Sequence, residues 1–178
     1  MRFWMMAAAA MAIAVPASAQ VTLIPGQGVT LTVGAGGAIE PEAKHPAQLS
    51  ATDMRALGLV RKSYEVDRTG KDGGSSKVAP ITITHQEVPP DPIIPGRVEL
   101  VFVVVENKDT VLVVRNGCGR SFAYRARITA RGSSAPTDVC IVKPNGRGYE
   151  HWPYVIDKIE LTELTFEDHA PGGPPICR

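Results

Sequence analysis

The chain has 178 residues, with 19 Lys and Arg against 18 Asp and Glu. That near-neutral balance excludes a general nucleic-acid binder, which needs a basic excess to neutralise phosphates. Its 15 Pro and 17 Gly are too few for a disordered chain and suit many turns between short strands.

The first predicted element is a secretory leader over 1–19. Arg2 is its only charge, Met5 to Val15 carry no polar side chain, Pro16 breaks the helix, and Ala17-Ser18-Ala19 offers the small residues a signal peptidase reads. The apolar run is short of the roughly 20 residues that span a hydrocarbon core, so a retained anchor is the weaker reading. Cleavage would leave Gln20 first, and the mature chain then carries equal numbers of acids and bases. One domain's length remains. Periplasmic or secreted placement is expected, with no membrane span in the mature chain.

Residues 20–96 hold sparse signals. Val29 to Val33, Leu59 to Val66 and Pro80 to His85 read as short strands. Gly34 to Ala38 suggests a phosphate loop, but Glu40-Pro41 follows and no helix begins, so a turn is favoured. Ser50-Ala51-Thr52-Asp53 has the spacing of a capping box opening one brief helix to Leu57. The 67–79 stretch is polar and Gly-rich, and Glu87 to Gly96 reads as an extended Pro-rich connector.

Residues 97–168 carry the sheet core. Val98 to Val105 is apolar and β-branched, which predicts a strand buried on both faces. Asn107-Lys108-Asp109 interrupts it before Thr110 to Arg115 resumes. Asn116-Gly117 predicts a hairpin turn, since primed turns need positive φ. From Ser121 to Ala130, Phe122, Tyr124, Ala126 and Ile128 alternate with Arg125, Arg127 and Thr129, giving one buried and one wet face. Residues 131–136 read as a loop before a strand over Thr137 to Lys143, and Pro144-Asn145-Gly146 turns the chain. In the last strand Ile159 and Leu161 are out of step with Leu164 and Phe166, which predicts a bulge. Residues 169–178 form a Gly/Pro-rich tail. The expected fold is an all-β antiparallel β-sandwich of immunoglobulin-like type, with a small β-barrel as alternative.

Cys118, Cys140 and Cys177 are an odd set for an oxidising compartment. If 121–130 pairs with 137–143, Cys140 lies opposite about Arg127, which puts Cys118 too far along the hairpin to reach it. Cys140–Cys177 is the expected bridge. Cys118–Cys177 is the competing one, and a buried apolar thiol is the plainer reading of Cys140. Cys118 would then be the exposed thiol, with only Arg120 nearby to lower its pKa.

Chemistry-bearing patterns are thin. His85 with Glu87, and His169 beside Glu167 and Asp168, lack a recognised zinc spacing, and His45 and His151 read as loop histidines. No G-x-S-x-G occurs, and Ser75, Ser76, Ser133 and Ser134 have no adjacent base. The carboxylates of Glu160 and Glu163 read as a solvated face. Tyr149-Glu150-His151-Trp152-Pro153-Tyr154 is the most distinctive stretch. Tyr149, His151, Trp152 and Tyr154 are the candidate ligand-binding residues, able to stack on a sugar or grip a peptide. The plainer reading, a plug with Trp152 and Tyr154 closing one end of the sandwich, is favoured. Arg125, Arg127 and Arg131 form a basic stripe open to an anionic glycan or headgroup, and cross-strand pairing with Glu160 or Glu163 is the simpler expectation.

The strings Pro136-Thr137-Asp138-Val139-Cys140 and Gly148-Tyr149-Glu150-His151-Trp152-Pro153-Tyr154, with Val113 to Gly117 and Tyr124-Arg125-Ala126, resemble those of a group of small exported bacterial proteins. The resemblance implies export and a shared fold, and carries no activity. The functional expectation is therefore a non-enzymatic exported module meeting a protein or envelope component, without cofactor. A carbohydrate- or peptide-binding protein using the aromatic stretch is the alternative, and a metal-binding protein the second alternative.

Overall fold

In the computed structural model, residues 19–34, 37–58, 91–168 and 176–178 are described. The expected leader, the readings made over 59–66, 67–79 and 80–85, and the His85 and His169 groups lie outside the described residues.

Nine strands form among the described residues: β1 Val21–Leu23, β2 Gln27–Val33, β3 Ile39–Pro46, β4 Arg97–Val105, β5 Asp109–Asn116, β6 Ser121–Ala130, β7 Ser133–Thr137, β8 Gly146–Trp152 and β9 Lys158–Glu167. Among the described residues one α-helix, α1, covers 51–58. The strands form two antiparallel sheets, ordered β1-β9-β6-β7 and β3-β2-β4-β5-β8, and neither closes into a barrel. The chain is an antiparallel β-sandwich. Val29 and Leu31 from β2, Leu100 and Phe102 from β4, and Leu112 and Val114 from β5 meet Phe122, Ile128, Ile159 and Leu161 of the opposite sheet. β1 and β2 supply core residues to both sheets, so the core begins upstream of residue 97.

β4 is apolar on both faces because both faces are covered. Val101, Val111 and Val113 point away from the sandwich interior and pack under Leu57, with Ala47, Leu49 and Tyr149 alongside. The 47–58 stretch therefore roofs the outer face of the five-stranded sheet. Its helix starts as the capping box requires: the Asp53 amide donates to Ser50 Oγ at 3.1 Å, and the Ser50 amide donates to Asp53 Oδ2 at 2.9 Å.

The expected bulge in β9 is present. Pairing steps from Ala123↔Thr165 to Arg125↔Thr162, and Glu163 takes up the extra residue with φ 52°. Leu164 is thereby returned to the buried side.

Three expectations are corrected. Asn116-Gly117 is not a hairpin turn: β5 and β6 belong to different sheets, and neither residue has positive φ. Asn116 is instead a buried clasp whose Nδ2 donates to the carbonyls of Arg120, Val142 and Lys143. Gly117 is needed because a Cβ there would collide with the Ile94 carbonyl. Second, the hairpin after β6 closes at once on Arg131-Gly132, both with positive φ (52° and 78°), so the partner strand is Ser133–Thr137 and Arg127 faces Pro136. Cys140 lies past that strand rather than opposite Arg127. Third, Cys118 is not an exposed thiol. It is buried in the inter-sheet core, burial pushes its pKa up, and Arg120 pairs with Asp168 instead.

Candidate functional site

The β8 alternation divides the aromatic stretch between two faces of one sheet. Trp152 turns into the sandwich, 7% exposed, and its Nε1 donates to Thr137 Oγ1 at 3.0 Å. Tyr149 points the opposite way and its hydroxyl donates to Asp53 Oδ1 at 3.0 Å. His151 Nε2 lies 3.7 Å from Asp109 Oδ2. Tyr154, 39% exposed, follows the strand, and its carbonyl accepts from Thr110 Oγ1. The four residues do not share one stacking platform.

Tyr149 leads to a buried charge cluster. Arg115 and Arg147 are direct neighbours across β5 and β8, so two guanidiniums stand side by side on the outer face. Asp53, fully buried at the third position of α1, lies between them. Its Oδ1 accepts from Arg147 Nη1 at 3.0 Å, and its Oδ2 accepts from Arg115 Nη2. Arg115 Nη1 also donates to Glu99 Oε2 at 2.6 Å, and Arg147 Nη2 donates to the Asp91 carbonyl at 2.5 Å. Thr52 and Asp91 exchange side-chain-to-amide bonds at 3.3 and 3.2 Å. Burial pushes the Asp53 carboxyl up, but its bonds from Arg115 and Ser50 hold it below the usual range. Burial and the Asp53 charge raise Tyr149 to about 12. Paired inward in this way, the cluster is a clamp for the 47–58 roof.

A second internal carboxylate sits at the opposite face of β8. Glu150 Oε1 accepts from the Cys140 amide at 2.6 Å and from Tyr124 Oη at 3.4 Å. Burial raises the Glu150 pKa, with the two bonds opposing, and it raises Tyr124 well above its ordinary value. The expected Cys140–Cys177 disulfide is formed. Residues 176–178 run antiparallel to 139–141, with the Arg178 amide donating to the Val139 carbonyl at 2.9 Å.

Because the folded Glu150 binds its proton more tightly than the unfolded one, its charge works against stability at neutral pH. That penalty fades as pH falls through the folded value toward about 4.3. Glu150→Gln keeps an acceptor for the Cys140 amide. It is expected to raise the thermal midpoint at pH 7.5, with the gain shrinking on acidification. A lower midpoint at pH 7.5 would show that the carboxylate stabilises in place.

The open surface lies on the outer face of the four-stranded sheet. Two adjoining cavities, about 340 and 380 Å³, share Arg125, Glu163 and Arg178. Tyr124, Leu164, Thr165 and Glu167 complete the first, and Arg127, Thr137, Asp138, Glu160 and Thr162 belong to the second. The bulge at Glu163 shapes the boundary between them. Arg178 reaches this face because the disulfide anchors its neighbour, and its Nη2 donates to Glu167. The expected cross-strand pairing holds only in part. Arg125 Nε is 3.7 Å from Glu163 Oε2, both well exposed. Arg127 faces Glu160 in register, yet Glu160 accepts from Lys158 Nζ at 2.6 Å, and Arg127 makes no ion pair among the described residues.

Among the described residues, no group of three His, Cys, Asp or Glu side chains is placed to hold a metal ion, and no helix is long and apolar enough to cross a membrane. Compared with known proteins, the chain matches no family model, no curated protein and no solved structure.

Sequence reasoning missed Arg115, Arg147, Glu150 and Arg178. One signal was available for the first: an Arg closing an otherwise apolar strand needs a buried counter-charge. The other three depend on which strands become neighbours.

Proposed function

We propose that the protein is an exported, non-enzymatic β-sandwich module that works by binding a polar, extended ligand of the cell envelope. The observation that carries this reading is the groove over β6 and β9. There Arg125, Arg127 and Arg178 stand among Asp138, Glu160, Glu163 and Glu167 in open space, whereas the carboxylates of Asp53 and Glu150 are turned inward onto structural partners. The burial of Cys118, with its pKa raised, also favours a binding role over nucleophilic chemistry. Export rests on the leader pattern of residues 1–19 and on the resemblance of the PTDVC and GYEHWPY strings.

A second reading places a ligand at Tyr154, which is exposed beside the exposed Val155. One titration separates the two. The chain has two Trp, Trp4 in the expected leader and Trp152, whose indole is bonded to the groove residue Thr137. Saturable change in Trp152 fluorescence with a panel of oligosaccharides and extended peptides is expected, unaffected by Tyr154→Ala. Loss of the response in that variant would move the site to the second surface. No saturable response to any panel member would sink the binding reading itself.

A further inference from the structure

We infer that the 139–141 edge is an acceptor for an extended peptide carrying a basic side chain, and that residues 176–178 are its built-in occupant, latched there by the Cys140–Cys177 bridge. The inference goes beyond the groove reading above and does not depend on the groove's ligand, since it concerns the rim beside the groove.

Two observations carry it. The first is that the backbone of 139–142 is held on two sides by different parts of the molecule. Toward the body, the Cys140 amide donates to Glu150 Oε1 at 2.6 Å, and Val142 exchanges both backbone bonds with Phe122, at 2.8 and 2.9 Å. Toward 176–178, the Ile141 amide donates to the Ile176 carbonyl at 2.9 Å, and Val139 exchanges bonds with Arg178 at 2.9 and 3.3 Å. Removing 176–178 therefore leaves the anchors at Cys140 and Val142 in place. It turns the Val139 amide, the Val139 carbonyl and the Ile141 amide outward without partners. That is a preformed sheet edge, and such an edge takes an added strand because its backbone groups need pairing.

The second is charge. Arg178 donates to Glu167 and lines both cavities of the groove. Of the other carboxylates there, Glu160 is held by Lys158 and Glu163 stands near Arg125, whereas Asp138 makes no ion pair among the described residues. When Arg178 leaves, Glu167 joins Asp138 without a counter-charge beside the vacated edge. A strand that brings a basic residue restores the lost pair, and one that brings an acid is repelled. Opening requires the bridge to break. Cys177 is exposed, so a dithiol can reach it. The dithiol supplies two electrons and two protons, the S–S bond gives the Cys140 and Cys177 thiols, and the dithiol closes to its own disulfide.

Two measurements test it. The first is amide hydrogen exchange on the parent chain, with and without a dithiol. The Val139 and Ile141 amides are expected to lose at least about tenfold in protection while the Val142 amide keeps its own. Loss at all three would mean that the strip melts with its occupant, and retention at all three that the bridge latches nothing. Either result overturns the inference. The second is fluorescence anisotropy of a fluorescein-labelled peptide spanning residues 169–178 and bearing Cys177→Ser. It is titrated with the bridged parent and with an opened chain, the full sequence bearing Cys177→Ser and Arg178→Glu, which disfavours its own occupant. Saturable binding by the opened chain alone is expected. The same peptide with Arg178→Glu should bind at least about tenfold more weakly, the scale of one charge-assisted bond. Glu167→Gln in the opened chain should narrow that preference to about threefold. Equal binding of the two peptides, equal binding by the bridged parent, or no binding by the opened chain would each overturn the inference. The Trp152 titration of the groove is run on the bridged parent, so either reading can fail without the other.

Discussion

Asp53→Asn is expected to destabilise the fold by about 3–5 kcal/mol, the cost of leaving buried charges without their counter-ion. Asp53 accepts from Arg115 and Arg147, from Tyr149 and from the Ser50 amide, so every bond it makes requires an acceptor. An Asn must present its NH2 on one side. There it meets either Arg115 and the Ser50 amide, both donors only, or Arg147, a donor only, beside a Tyr149 hydroxyl that would have to turn to accept. The roof over Val101, Val111 and Val113 loosens with it, exposing apolar sheet surface. Urea unfolding reads the effect directly: a midpoint within experimental error of the parent would show that the clamp contributes nothing net.

The pH dependence of that difference has a defined sign. Asp53 has a depressed folded pKa, so its stabilisation is fully present above the unfolded value of about 3.9. It is lost as pH falls through the folded value. Parent and Asp53→Asn should therefore differ by a constant amount from neutral pH down to about 5 and converge in stronger acid.

Removing the bridge with the double variant Cys140→Ser, Cys177→Ser is expected to cost about 4 kcal/mol, from the loop-closure entropy returned to the unfolded chain. The sequence separation of 37 sets that loop. Reductant should carry the parent toward the variant's unfolding midpoint and leave the variant itself unmoved, because the remaining thiol, Cys118, is buried and unbridged. A variant as stable as the parent would mean that the 139–141 and 176–178 pairing holds without its covalent link.

These two sites differ in how far they could be read in advance. The Cys140–Cys177 bridge is legible in the sequence, though through a register that the structure replaces. A hairpin with Cys140 opposite Arg127 sets Cys140 apart from Cys118, whereas the hairpin closes two residues after Ala130 and Arg127 faces Pro136. The Arg131-Gly132 turn carried that information, but it was hidden by Ser133 to Pro136, which read as loop and are strand. The clamp was half visible. Asp53 was legible as a helix cap through its three-residue spacing from Ser50, and nothing in that spacing spoke of Arg115 or Arg147, 62 and 94 positions away.

What the sequence determined by itself is local and periodic. Apolar patterning set β2, β4, β5, β6 and β9, because a pleat sends successive side chains to opposite faces, whereas β3 and β7 carry no such pattern. The phase slip between Leu161 and Leu164 set the bulge, and the Ser50–Asp53 spacing set the helix start. The tertiary structure decided the rest: which face of β8 holds Trp152 and which holds Tyr149, which guanidiniums meet Asp53, and where Arg178 lands. Contacts of that kind join residues from separate strands, and two sheets stacked face to face can bring any strand beside another until register and crossover are chosen. Burial then settles the choice, since an apolar face must be covered and a buried charge must find its partner.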